Sequence, residues 1–309
     1  LVTGPLYHAG PFVVSLQMAL SYGAGMVLMP RWNAEAALHL IERHRVTHMH
    51  VVPTMFHRLL ALPAAIRSSY DLGSLRHVVH GAAPCPLHVK RAMIDWLGPI
   101  IAEYYSSTEG FGCIVTSEQW MERPGTVGRP LPPGQVIVGD DEAEPLPPGT
   151  EGILWLKAPD RARFHYHGDD DKTRSVYRRG YFTHGDVGYM DAEGWLCLTD
   201  RSAHLIISGG VNVYPSEVDH VLLEHPDVGD VATIGVPDDE WGESVLAVIE
   251  PQRGTQPSPG LCEELLEFCR SRLARYKCPR SIEFVAELPR SASGKVPKAA
   301  LRERYRGRQ

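Results

Sequence analysis

The chain has 309 residues, and its 31 Lys and Arg against 37 Asp and Glu leave a formal charge of −6, too small to mark an acidic tail or a nucleic-acid-binding surface. Hydrophobic residues at 43% with charged residues at 22% exclude a mostly disordered chain and leave room for two folded units. Six cysteines without a C-x-x-C pair spell neither a zinc ribbon nor a disulfide framework and fit a reducing cytoplasm, and only six of the basic residues are lysines, so each lysine carries information.

Residues 9–30 carry no charge, but Gln17 and the Gly23-Ala24-Gly25 break interrupt them, which argues against a membrane span. A buried helix, a turn and a buried strand over 26–29 are expected instead, and with no basic stretch ahead of them a signal peptide is not. Apolar positions at helical spacing predict a helix over 34–45, followed by a strand over 46–52 that Pro53 ends. The pair repeats as a helix over 87–97 and a strand over 99–105 that feeds the polar loop 106–110. Helix followed by strand predicts α/β layering, with chemistry at the C-terminal ends of the strands. Between 125 and 195, short strands over 135–138 and 153–157 alternate with Pro-Pro-Gly turns at 132–134 and 147–149, the texture of a small β-rich subdomain. From about 201 to 309, a helix opened by Pro215, strands near 230–236 and 244–250, a helix over 261–276 and a strand over 281–286 predict a compact α+β domain.

Four segments concentrate polar residues beside glycine. Tyr105-Ser106-Ser107-Thr108-Glu109-Gly110 brings hydroxyls and one carboxylate to a strand end, a set suited to Mg²⁺ and phosphate oxygens; the same residues also suit the opening of a helix. Gly180 to Gly188 holds Asp186 between glycines, where a fixed carboxylate suits the vicinal hydroxyls of a ribose, or simply forms a turn. Asp200-Arg201 leads through an apolar strand into Ser208-Gly209-Gly210-Val211-Asn212-Val213-Tyr214-Pro215. Its paired glycines permit close approach of a ligand, or make a strand-to-helix turn. Ser291-Ala292-Ser293-Gly294-Lys295 presents a lysine on small residues near the C-terminus; Val296 after it excludes a Walker P-loop.

Three other groups read as structural. His48 and His50 offer two metal ligands on one face of a strand, but Val46, Val51 and Val52 mark a buried strand and no third ligand is suitably spaced. Asp169-Asp170-Asp171, followed by Lys172, predicts a solvated turn or helix cap, and Cys278 has no paired base.

In their order and spacing, the four segments make the chain resemble the acyl-CoA synthetases of the adenylate-forming superfamily, from its first residues to its last. The resemblance implies the C-terminal portion of a large α/β adenylation domain with a β-rich subdomain over 1–200, and the family's small α+β domain over 201–309. By the same likeness His8, in Pro5-Leu6-Tyr7-His8-Ala9-Gly10, would stand beside the acyl pocket. Gly81, Ala82 and Ala83 would lie along the adenine, Tyr105 beside the nucleotide, and Thr108 and Glu109 on phosphate and Mg²⁺. Asp186 and Arg201 would hold the ribose, Gly209 and Gly210 would line the coenzyme A channel, and Lys295 would meet the reacting carboxylate and α-phosphate. Two departures are visible. Ser202-Ala203-His204 replaces the charged residues usual after Arg201 at the family's hinge, and the phosphate loop expected ahead of Tyr7-His8 is not in the sequence.

The implied activity is ATP-dependent ligation of an apolar or fatty acid to coenzyme A through an acyl-adenylate. The alternatives are loading of a carrier-protein phosphopantetheine, or a non-catalytic fragment that binds nucleotide or coenzyme A. The expected partners are a small carboxylic acid, ATP, Mg²⁺ and coenzyme A, with no nucleic acid, no transmembrane segment, a cytoplasmic location and an open oligomeric state.

Overall fold

The computed structural model describes residues 1–309 apart from Asp160, Ala162, Ser202, Ala203, Gly210, Ala292, Ser293, Gly294 and residues 307–309, with Arg201 described by its backbone alone. The chain forms two units, one of residues 1–184 and 188–198, the other of residues 185–187 and 199–309.

The first unit opens on a helical segment, Pro11–Gln17 running into Met18–Ser21. A helix was expected here, but it is not buried: only Pro11 is inaccessible, and Phe12, Val13, Met18, Leu20 and Tyr22 stand 42–85% exposed. Its apolar residues run round the helix, and the described residues lay no second layer over it. The strand expected over 26–29 reduces to a single bridge between Val2 and a half-exposed Leu28.

A four-stranded sheet follows, in the order β1 (His48–Val51), β2 (His77–Gly81), β3 (Ile101–Ser106), β4 (Phe111–Thr116). The first three strands are parallel. Parallel neighbours need a crossover, which the helices Pro53–Leu60 and Leu87–Leu97 supply. Helix Ala34–His44 starts where the Asn33 side chain accepts the Ala36 amide and ends at Arg45 in the left-handed region. Pro53, read in the sequence only as a strand terminator, is the first residue of the next helix, where its missing N–H costs nothing. Leu38, Ile41, Phe56, Leu59 and Met93 from the helices close over Val51, Val78 and Ile101 of the sheet. β4 returns antiparallel to β3. Residues 106–110 are therefore a hairpin loop and not a helix opening, which removes the capping alternative.

The β-rich subdomain is a seven-stranded sheet of β5 (Thr126–Gly128), β6 (Val136–Gly139), β7 (Gly152–Lys157), β8 (Tyr177–Arg178), β9 (Tyr181–Phe182), β10 (Asp186–Met190) and β11 (Leu196–Arg201). Val136, Leu154, Leu156, Phe182 and Leu196 form its core. Asp169 caps helix Asp170–Ser175 by accepting the Lys172 amide.

In the second unit a five-stranded sheet holds β12 (Ile206–Ser208), β13 (Val211–Val213), β14 (Val228–Asp238), β15 (Gly242–Pro251) and β16 (Ser281–Phe284). Side chains alternate across it. Val245, Ala247 and Ile249 pack with Val218, Leu222, Leu261 and Leu265 of helices Pro215–Leu222 and Pro259–Arg270, while Leu246 and Val248 pack with Leu301 and Tyr305 of helix Lys298–Tyr305. Two details differ from expectation. Helix 259–270 ends at Arg270, six residues early, and a short 3₁₀ turn, Arg275–Lys277, completes the segment. β12 and β13 pair antiparallel with Ser208 opposite Val211, so Gly209 follows a strand that returns as a second strand, and the helix opens only after β13, at Pro215. Cys278 is buried in the core and its thiol is pushed up by that burial. Among the described residues no helix is long and apolar enough to cross a membrane.

Candidate functional site

β2 and β3 are parallel, so Gly81, Ala82 and the 106–110 loop all lie at one edge of the first sheet. Gly81 is required there: a Cβ would stand 2.7 Å from the Tyr104 carbonyl and 2.8 Å from its ring. Ala82 takes φ +69°, a conformation that costs a non-glycine residue about 1–2 kcal/mol. Strain of this kind persists where the surroundings dictate it, and it clusters at ligand-binding turns. The His8 segment approaches the same edge, because a Cβ on Gly10 would meet the Tyr104 hydroxyl at 2.8 Å and His50 at 3.1 Å. His8 itself is half-buried, with its ring 4.9 Å from the exposed Tyr7. His50 Nε2 and the Tyr104 hydroxyl are 2.9 Å apart, and burial lowers the His50 pKa to about 4, so this imidazole is neutral.

Within the hairpin loop the Ser107 hydroxyl accepts the amides of Glu109 and Gly110 at 3.2 Å, and the Ser107 amide donates to the Gly110 carbonyl at 2.8 Å. The serines close the loop and leave the exposed Thr108 and half-buried Glu109 to face outward. Tyr166 donates to Glu109 Oε1 at 3.1 Å, and burial together with that carboxylate drives its phenol up to about 12. Glu109, Gly110, Lys157 and Phe182 line a cavity of about 400 Å³. Tyr105 is 5% exposed; its hydroxyl lies 3.2 Å from His184 Nε2, and its ring packs where a Cβ on Gly112 would come within 2.4 Å. Thr108 and Glu109 are hard oxygen donors of the kind Mg²⁺ takes alongside phosphate oxygens. Among the described residues no three His, Cys, Asp or Glu side chains gather to hold a metal by themselves, so a cation here would draw its remaining ligands from a nucleotide and water.

The buried floor behind this loop holds a charge. Lys90 is fully buried, 2.5 Å from Glu103 on β3 and 4.8 Å from the centroid of the Trp120 ring. Burial lowers Lys90 and raises Glu103, and their mutual attraction opposes both shifts.

The remaining expected site residues belong to the second unit. Asp186 is 8% exposed and begins β10 after Gly185 at φ +84°, so it is a strand residue and not the turn aspartate of the alternative reading. Asp200 accepts the Ser216 amide at 2.9 Å, which ties the end of β11 to the first turn of helix Pro215–Leu222, and its carboxylate lies 3.5 Å from His204 Nδ1. Gly209, at φ +58°, donates to the Trp241 carbonyl at 2.8 Å and leaves only 2.5 Å between a notional Cβ and the Trp241 ring. Beside it Trp241, Arg270, Arg275, Tyr276 and Arg280 line a cavity of about 750 Å³, with the Arg280 guanidinium 4.3 Å from the Trp241 ring centroid. Lys295 is exposed and its carbonyl accepts the Ser291 amide; Arg290 pairs with Asp230, and Lys298 reaches Asp219 at 2.7 Å. The Gly210 and Arg201 side-chain expectations, and the Ala203 position of the hinge, lie outside the described residues.

Sequence reading missed Tyr166, Lys157, His184 and the Trp241 and arginine cluster. Each reaches its neighbours from a distant part of the chain, and only Trp241, a large apolar residue in the charged stretch Asp238-Asp239-Glu240-Trp241, carried a local signal.

Residues 1–166 match the family model for AMP-binding enzymes, and residues 217–295 match the model for the AMP-binding enzyme C-terminal domain. An indoleacetate–CoA ligase of Aromatoleum aromaticum is 35% identical over 305 residues, 98% of this chain and 58% of the relative. A long-chain-fatty-acid–CoA ligase of Bacillus subtilis is 33% identical over 97% of this chain and 53% of its own length. Among solved structures, an amide bond synthetase from Marinactinospora thermotolerans superposes with TM-score 0.84 at 35% identity, over 97% of this chain and 61% of that one. ATP-bound MatB from Rhodopseudomonas palustris gives 0.86 at 31%, over 99% and 60%. The chain thus spans about three fifths of the length of these proteins or somewhat less.

Proposed function

The chain belongs to the family of AMP-binding, adenylate-forming enzymes, and from that premise we propose that the complete gene product activates a carboxylic acid with ATP and transfers it to coenzyme A. The observation that carries the reading is the edge formed by Gly81, the strained Ala82 and the Thr108–Glu109 hairpin, matched in the same chain by a lysine on a small-residue loop at Lys295.

The first step joins two anions, since a carboxylate must attack the α-phosphorus of ATP as pyrophosphate leaves. The charge that develops needs cationic stabilisation at that atom, the role assigned to Lys295. Thr108 and Glu109 would hold Mg²⁺, which supplies Lewis-acid neutralisation of the phosphates. Tyr166 fixes the Glu109 carboxylate, Ser107 fixes the loop beneath it, and Gly81 lets the end of β2 pack against Tyr104. Asp186 and Arg201 are assigned to the ribose.

In the second step a thiolate displaces AMP. Trp241, Tyr276 and the arginines at 270, 275 and 280 offer flat aromatic faces beside guanidinium groups, the chemistry that receives an adenine and its phosphates. Gly209 lets the chain lie directly against the Trp241 ring, the wall along which a narrow pantetheine arm would run. This cavity favours free coenzyme A as acceptor. The acid is proposed to be apolar, aryl or fatty, because the relatives are named for indoleacetate, ferulate and long-chain fatty acids.

The test is acid-dependent exchange of pyrophosphate into ATP by the complete gene product across a panel of aryl and fatty acids, followed by thioester formation with coenzyme A. Exchange with at least one acid, and a thioester only when coenzyme A is present, is expected. Nucleotide binding without exchange for any acid would overturn the reading.

A further inference from the structure

The first sheet carries a second group of chemistry-bearing residues at the edge opposite the candidate site. His48 and His77 are the first residues of the parallel strands β1 and β2 and are direct register partners, so their side chains leave the same face of the sheet. Both are exposed, and their ring centroids are 5.1 Å apart with the planes inclined by 37°. We propose that His48 and His77 together form a surface site for a divalent ion of the zinc class, completed by water.

The spacing carries the assignment. An imidazole nitrogen binds zinc at about 2.0–2.1 Å, which puts the metal about 3.2 Å from each ring centroid. Two such ligands at the tetrahedral angle have centroids about 5.2 Å apart, and at a square-planar right angle about 4.5 Å. The observed 5.1 Å is close to the tetrahedral value, a spacing that the pairing of neighbouring strands itself provides. Thr47 supplies an outer partner, with its hydroxyl 2.8 Å from His48 Nδ1. In the tautomer whose Nδ1–H donates to this hydroxyl, the Nε2 lone pair is left for a metal, the arrangement metal-bound histidines favour. A metal takes the neutral imidazole, so the pair would bind it at pH 7.5 and release it as the rings protonate. The nearby Arg76 guanidinium donates to the carbonyls of Gly73 and Leu75.

The pairing was invisible in the sequence, where His50 was the obvious companion of His48. His50 is instead buried, bonded to Tyr104 and at the other end of the strand. The true neighbour lies 29 positions further on, brought alongside by the β1–β2 crossover.

Zinc chloride titrated calorimetrically into the 309-residue chain at pH 7.5 tests the site, with His48→Ala, His77→Ala and His39→Ala as variants. Both rings stand at the surface, so the alanine variants should keep the far-ultraviolet circular dichroism and thermal midpoint of the metal-free parent. One binding event is expected to weaken at least tenfold in His48→Ala and equally in His77→Ala, to persist in His39→Ala, and to fade as pH drops from 7.5 to 5.5. Undiminished binding in either of the first two variants would overturn the pair, as would a tenfold loss in His39→Ala.

Discussion

Two of the six lysines define opposite regimes within one chain. Lys90 is wholly buried, bonded to Glu103, set against the Trp120 ring and surrounded by the core that supports the candidate loop. Lys295 is exposed, and the Arg290–Asp230 and Lys298–Asp219 pairs tie down the described residues on either side of it. Burial fixes a charge in one geometry at the cost of desolvation, so Lys90 is suited to hold β3 in place and unsuited to meet a substrate. Lys295 stands exposed, and the ion pairs of Arg290 and Lys298 anchor the chain on either side of it. The same side chain thus serves the fold in one place and is proposed to serve chemistry in the other.

Removing Lys90 is the most forceful way to break this contrast. Lys90→Ala leaves Glu103 buried without its cation and should destabilise the chain by about 3–5 kcal/mol in urea denaturation. The double variant Lys90→Met, Glu103→Gln, which removes both charges, should recover most of that loss. A single variant as stable as the parent would show that the pair does not support the sheet.

A pH series sharpens the same side of the comparison. The folded His50 pKa, about 4, lies below the usual 6.5, so the unfolded chain binds more protons between those values. The stability this group contributes is complete above pH 6.5 and is lost as pH falls towards 4, amounting to about 2 kcal/mol by pH 5. His80, lowered by its complete burial, acts in the same direction. The urea midpoint should fall between pH 7.5 and pH 5, and His50→Gln should flatten that fall; an unchanged slope in the variant would remove His50 from the account.

On the other side, Lys298→Ala should release one flank of the Lys295 segment and weaken adenylate formation roughly fivefold, about 1 kcal/mol, and it should lower the melting temperature as well, because Asp219 is left largely buried without its cation. An effect as large as that of losing Lys295 itself would give Lys298 a part in the chemistry.

Much of this division was legible in the residues. The apolar periodicity of 34–45 and 87–97 yielded helices whose ends the structure reproduces within a residue, because Asn33 and Gly98 terminate them locally. The T-E-G and S-G-K segments stood out because small residues flank a carboxylate in one and an ammonium in the other. Lys90 did not, since nothing in Val89-Lys90-Arg91 separates a buried lysine from a solvated one; its burial follows from Glu103 thirteen residues away and from Trp120 beyond it. The exposed helix at 11–21 was misread as buried, since composition records that a segment is apolar and not whether another layer covers it.

The central claim is that Lys295 acts on the adenylation step. The direct test is to compare Lys295→Ala with the unmodified complete gene product in each half-reaction. The account predicts that acid-dependent ATP–pyrophosphate exchange falls about 10²–10³-fold, while conversion of supplied acyl-adenylate and coenzyme A to thioester stays within a few-fold and the melting curve is unchanged. Exchange at the unmodified rate in a folded Lys295→Ala protein would contradict it.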